Sequence, residues 1–157
     1  MLEFNTDTFF MREAIKQAKR AYDENEVPVG AILVCNNQII AKSYNQVEKL
    51  TDTTAHAEMI GITSASEYLG SKFLNECTLY VTLEPCMMCA GAIKWSRISK
   101  LVIAASDEKE GFISKYNANN LLTAKTEIIW GVEELEASKL LKDFFHKLRN
   151  DNQRNWN

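Results

Sequence analysis

Two short strings carry the residue types of a metal centre: His56-Ala57-Glu58 and Pro85-Cys86-Met87-Met88-Cys89. Zinc favours nitrogen and thiolate ligands in a tetrahedron, and a catalytic zinc takes three protein ligands and keeps a fourth position for water. One histidine and two cysteines supply three. Cys86 and Cys89 share a face if they lie on a helix, so both can grip one ion. A helix N-terminus there favours the thiolate form that metal binding needs. His56 and Glu58 are two apart, and helix residues at that spacing do not share a face. Their convergence requires His56 to occupy the first turn and lean back over the helix end. Zinc lowers the pKa of a bound water to about 7. A carboxylate beside that water can move its protons, and Glu58 fits this general acid/base role. A structural zinc site would use a fourth protein ligand. The other histidine, His146, lies far along the chain, and no second close cysteine pair exists. A redox dithiol would leave His56 and Glu58 unexplained.

These residues need a scaffold. Residues 7–22 read as a helix, with Met11, Ile15, Ala18 and Tyr22 at helical spacing and Thr6 or Asp7 as its cap. Residues 29–35 and 38–44 are apolar runs on either side of Asn36-Asn37; asparagine tolerates positive φ, which suits a tight hairpin. Residues 45–54 are polar and read as a loop. A helix over 55–69 follows, with Thr53 or Thr54 as cap and Gly70 as stop. Residues 78–83 read as a strand that Pro85 ends, and Pro85 suits the first turn of a helix over 86–95. A strand over 101–105, an irregular stretch over 107–122 and a last strand over 125–130 come next. The helix over 133–149 carries Leu140, Leu141, Phe144, Phe145 and Leu148 on an apolar face and Lys139, Lys142, His146 and Arg149 along another. A single domain over 1–150 and a frayed tail over 151–157 are expected. Strands alternating with helices predict an α/β sheet with helices on both sides, made mixed by the opening hairpin.

A chain of 157 residues fits one domain and buries a core without disulfide support. Its net charge of −3 gives no general attraction to nucleic acid, so RNA contact needs a local basic patch. The N-terminus has no secretory pattern and no run is apolar enough to span a membrane. A reducing cytoplasm is therefore expected, with Cys35 and Cys77 as small packed hydrophobes at strand edges. Trp95 is expected in the core, ahead of a base-stacking role.

H-x-E followed by P-C-x-x-C is the signature of zinc-dependent deaminases. Within that superfamily the chain resembles the bacterial tRNA-specific adenosine deaminases, which convert the wobble adenosine of an arginine tRNA to inosine. The resemblance runs through VPVGAILV at 27–34, Asn45, TAHAEM at 54–59, LYVTLEPCMMCAGAI at 79–93 and LLKDFFHKLR at 140–149. It implies a three-layer α/β/α cytidine-deaminase-like fold with a mixed five-stranded sheet, a homodimer and one zinc per subunit. By position it implies His56, Cys86 and Cys89 as zinc ligands, Glu58 as proton shuttle and Asn45 as a hydrogen-bond partner of the target nucleoside. Val29 and the Ala57 backbone would flank the base, and Asp107 would lie near the flanking nucleotide. Phe144 and Phe145 match an aromatic pair in a tRNA-contacting helix, where core or dimer packing competes with nucleotide contact. Lys142, His146 and Arg149 would add RNA contacts, against the alternative of a solvated face. Read without the resemblance, Asn45 is a turn residue and Asp107 a loop cap. The chain departs from the family pattern at EKEGFISKYNANN after Asp107 and at Asp52-Thr53-Thr54. Two rivals remain at this level: a deaminase of a free base or nucleoside, such as guanine or cytosine, and an inactive module that keeps zinc for stability.

Overall fold

A computed structural model of the chain describes residues 6–154. The elements run α1 (Thr6–Asp23), β1 (Gly30–Cys35), β2 (Gln38–Tyr44), α2 (Val47–Leu50), α3 (Ala57–Leu69), β3 (Cys77–Leu83), α4 (Met87–Trp95), β4 (Lys100–Ala105), β5 (Glu127–Trp130) and α5 (Glu134–Arg154). The strands form one sheet in the order β2-β1-β3-β4-β5. β1 is antiparallel to both β2 and β3, and the β3–β4 and β4–β5 pairs are parallel.

Pleating sorts the apolar side chains to two faces. Leu33, Leu79, Val81, Leu101 and Ile103 join one buried cluster with Ala57 and Ala65 of α3 and Ala90 and Ile93 of α4. Ile32, Val34, Tyr80 and Val102 join another with Met11, Ala14 and Ile15 of α1 and Ala137 of α5. The sheet is thus sandwiched between α3/α4 and α1/α5, and β1 is buried along its whole length because both faces are covered. Asn36 and Asn37 both have left-handed φ (51° and 59°), the geometry of the tightest hairpins. At Gly30 a Cβ would lie 2.1 Å from the Ala14 carbonyl oxygen, so only glycine lets α1 cross the sheet this closely.

Two connections prepare the site. The β3–α4–β4 crossover puts the start of α4 at the carboxyl end of β3, where open α/β sheets bind ligands. The Ser43 hydroxyl on β2 donates to the Ala57 carbonyl at 2.6 Å and pins the start of α3 beside it.

Several expectations change. The polar segment after β2 contains the short helix α2. The cap of α3 is His56, neither Thr53 nor Thr54; the Asp52 side chain instead accepts from the Thr54 N–H at 2.8 Å. Helix α5 continues to Arg154, because nothing in 150–154 breaks it, and residues 155–157 lie outside the described residues. Trp95 is 79% exposed at the end of α4, not in the core. Cys35 and Cys77 are buried as expected but joined as a disulfide. They sit directly opposite each other on antiparallel β1 and β3 with Cα atoms 4.5 Å apart, the close spacing of a non-hydrogen-bonded pair. The 42-residue separation hides this pairing in the sequence. No helix among the described residues is long and apolar enough to cross a membrane.

Candidate active site

The site forms where the N-termini of α3 and α4 meet. His56 and Cys86 are the N-cap residues of these helices, both in extended backbone conformation (φ −72°, ψ 152° and φ −71°, ψ 173°). Neither side chain caps its own helix, so both are left for another partner. This resolves the spacing problem of His56 and Glu58. His56 precedes the helix and is not bound to its periodicity, while Glu58 sits in the first turn.

His56 Nδ1 lies 3.6 Å from Cys86 Sγ and 3.5 Å from Cys89 Sγ. All three donor atoms lie within 4.8 Å of one another. Zinc–nitrogen and zinc–sulfur bonds of about 2.0 and 2.3 Å at a tetrahedral angle place nitrogen and sulfur about 3.5 Å apart. The donor set therefore fits zinc in chemistry and in spacing. The donors are electrostatically coupled. The Cys86 thiol is lowered to about 4, first by a hydrogen bond with Cys89 and then by His56, against the effect of burial. Cys89 is pushed up by the same bond and by burial. His56 is raised by its bond to Cys86, with the Glu58 charge adding to it. Burial raises Glu58, which is only 4% exposed.

His56, Glu58 and Cys86 open onto a cavity of about 390 Å³, a size suited to one nucleoside, while Cys89 is fully buried. Val29, Asn45, His56, Ala57, Glu58, Cys86 and Asp107 all line it. Asn45 is buried; its Nδ2 donates to the Val27 carbonyl at 3.4 Å, and its buried Oδ1 has no hydrogen-bond partner among the described residues. An orphaned acceptor of this kind costs stability unless a ligand meets it.

The family model for the cytidine and deoxycytidylate deaminase zinc-binding region matches residues 4–105, which include His56, Glu58, Cys86 and Cys89. The chain belongs to this deaminase family. A relative named tRNA-specific adenosine deaminase from Aquifex aeolicus (strain VF5) is 48% identical over 145 residues, covering 91% of this chain and 96% of that protein. One of the same name from Bacillus subtilis (strain 168) is 44% identical over 146 residues, covering 91% of each. A solved structure from a study of A-to-I editing by tRNA:A34 deaminases at the wobble position superposes with a TM-score of 0.80 at 39% identity, covering 85% of this chain and 99% of that one. The fold is accordingly the three-layer α/β/α architecture of cytidine-deaminase-like proteins.

The remaining positions of this deaminase divide. Asp107 lines the cavity, but its Oδ1 accepts from the N–H groups of Lys109 and Glu110 at 3.0 and 3.2 Å, so it also caps its own loop. Phe144 is buried, packs edge-on against Tyr22 with ring centroids 5.9 Å apart, and lines the cavity. Phe145 is 40% exposed and does not line it. Lys142, His146 and Arg149 are exposed on α5, outside the cavity lining. Leu148, placed by sequence on the apolar face, is an exposed part of the cavity rim.

Two buried carboxylates escaped the sequence reading. Glu26 accepts from the N–H groups of Glu48 and Lys49 and holds α2, which forms one lip of the cavity. Glu84 accepts from the N–H groups of Asp107, Ile113 and Ser114 and from the Ser114 hydroxyl, and so ties the opposite lip to the segment entering Cys86. Gly111 packs so tightly here that a Cβ would lie 2.2 Å from Glu84 Oε2. The only sequence signal is a charged residue placed directly after an apolar strand. We expect Glu84→Gln to turn an amide donor toward backbone donors. That loss of acceptor sites costs about 1–3 kcal/mol of stability and raises KM more than it lowers kcat. Thermal denaturation and steady-state kinetics check both, and a variant matching the wild type in each contradicts this role.

Proposed function

We propose that this deaminase converts the wobble adenosine of an arginine tRNA anticodon to inosine, with His56, Cys86 and Cys89 holding one zinc per subunit. The observation that carries the reading is the buried Glu58 carboxyl in a nucleoside-sized cavity that His56 and Cys86, two of the three zinc-spaced donors, and the orphaned Asn45 Oδ1 also line. Zinc held by these donors would supply the acidity that activates a water nucleophile. Glu58 would accept a proton from the water that adds to C6 of adenine and deliver it to the ring nitrogen. It then carries a second proton to the departing amine, so adenine and water become hypoxanthine and ammonia. Asn45 Oδ1 accepts a hydrogen bond from the nucleoside and orients it. Val29 and the Ala57 backbone flank the base, Phe144 closes one wall, and Asp107 stands beside the flanking nucleotide.

The names of the close relatives support RNA as the substrate class, and an anticodon loop presents an unstacked base that can enter such a pocket. We assign Lys142, His146 and Arg149 to the backbone of that loop, with Phe145 exposed beside them. A cytoplasmic location follows from a tRNA substrate, and the enzyme acts as a homodimer. The cytoplasm keeps thiols reduced, and there Cys35 and Cys77 would keep the same packed cross-strand positions as thiols.

The test offers zinc-loaded protein an arginine-tRNA anticodon stem-loop alongside adenosine, guanine, cytosine and cytidine, with products read by mass spectrometry. Inosine in the stem-loop alone supports the proposal; turnover of a free base with an untouched stem-loop sinks it in favour of a small-molecule deaminase. Activity on the stem-loop should fall steeply with added salt as counterions compete for phosphate contacts. Asn45→Ala should raise KM for the stem-loop about tenfold through loss of one buried hydrogen bond. A KM unchanged by this substitution removes Asn45 from the substrate site.

A further inference from the structure

We propose that a second groove, at the far end of α4 from the zinc ligands, binds the phosphodiester backbone of the RNA substrate and stacks an unpaired base on Trp95. This rests on the RNA reading above and extends it to a surface outside the cavity. The groove has a volume of about 1060 Å³ and lies between the end of α4 and the loops around 72–75 and 123–126. Among the described residues its charged lining residues are Lys72, Lys94, Arg97 and Lys125, and no acidic side chain lines it. In a chain of net charge −3 that is a concentration of cations against the overall composition. Among the described residues none of the four forms an ion pair, whereas Lys16, Lys42, Lys49, Lys100 and Lys139 all do.

Arg97 follows α4 with a left-handed φ of 58°, which turns the chain at the groove. Its guanidinium lies 4.0 Å from the centroid of the Phe73 ring, and Lys72 Nζ lies 5.1 Å from the same centroid. An aromatic face orients these cations without neutralising them, and stacked guanidinium keeps its N–H edge for phosphate oxygens. Trp95 beside them is 79% exposed. Cations tracking a backbone next to an exposed aromatic ring form the usual platform for single-stranded nucleic acid. A lone phosphate is too small to meet four cations spread around this groove, whereas a strand repeats its charge. Helix α4, nine residues long, sets the groove about 14 Å from Cys86. That is about four nucleotides of a stacked strand at 3.4 Å each.

The test measures binding of a transfer-RNA anticodon stem-loop by fluorescence anisotropy across a salt series. The proteins are wild type, Lys94→Ala/Arg97→Ala/Lys125→Ala, Trp95→Ala and Trp95→Phe, all altered at exposed positions. The triple variant should reduce the slope of log K against log salt by about three, one for each phosphate contact. Trp95→Ala should weaken binding about tenfold with little change of slope, and Trp95→Phe should restore most of it. An unchanged slope in the triple variant overturns the proposal. So does an unchanged slope accompanied by a loss of dimer mass in sedimentation, which would assign this face to a second copy of the chain. If the triple variant loses slope as expected but wild type forms no inosine in the stem-loop, the editing reaction is sunk and the groove is left standing. The two readings therefore fail separately.

Discussion

Glu58→Gln should yield a folded, zinc-loaded protein whose deamination rate is about 10²–10⁴-fold below wild type, the usual contribution of a positioned general acid/base. The amide fills the same volume in the first turn of α3, so packing is kept. What is lost is the capacity to accept and return a proton. Glu58 is buried, and burial raises its pKa by penalising the charged form. Holding an ionisable group there costs stability, so the glutamine variant should melt at the same temperature as wild type or higher. Turnover, zinc content and thermal midpoint measured on one preparation decide the matter. Wild-type turnover in a zinc-loaded glutamine variant would remove Glu58 from the chemistry, as would a loss of turnover fully explained by lost zinc.

The other large effect concerns the metal donors. Cys86→Ser should empty the site of zinc under mild chelation and reduce turnover by more than about 10³-fold, since metal activation of the nucleophile commonly supplies several kcal/mol of transition-state stabilisation. Cys86 is the informative choice. It is partly exposed at the N-cap of α4, whereas Cys89 is fully buried, so serine there disturbs the core least. Chelating the wild-type protein should produce the same loss, and added zinc should reverse it in wild type only. Full turnover by a metal-depleted protein would refute the proposed mechanism. A variant that retains tight zinc would show that Cys86 is not a ligand.

The chemistry of this chain was legible because its determinants are local. All four groups of the candidate centre, His56, Glu58, Cys86 and Cys89, fall within two short strings, and their residue types restrict the metal. The strands and long helices were legible for a similar reason: apolar periodicity and Asn, Gly and Pro punctuation act over a few residues. The pairing of Cys35 with Cys77 was not legible, because a strand register set by the whole sheet joins residues 42 apart. Trp95 was misplaced because an aromatic residue following an apolar helix reads as core, and only packing shows that the helix ends at the surface.

By itself, then, the sequence determined which donor types and which carboxyl stand in the two motifs, and the alternation of strands and helices. Tertiary structure decided how those groups meet. It made His56 an N-cap, free of the helical periodicity that would have turned it from Glu58, and brought its ring to within 3.6 Å of both thiols. It buried Glu26 and Glu84 as the anchors of the two cavity lips, a role set by backbone N–H groups that carry no sequence signature. Side-chain identity is written residue by residue, but burial, pKa and convergence arise only when distant segments exclude water together.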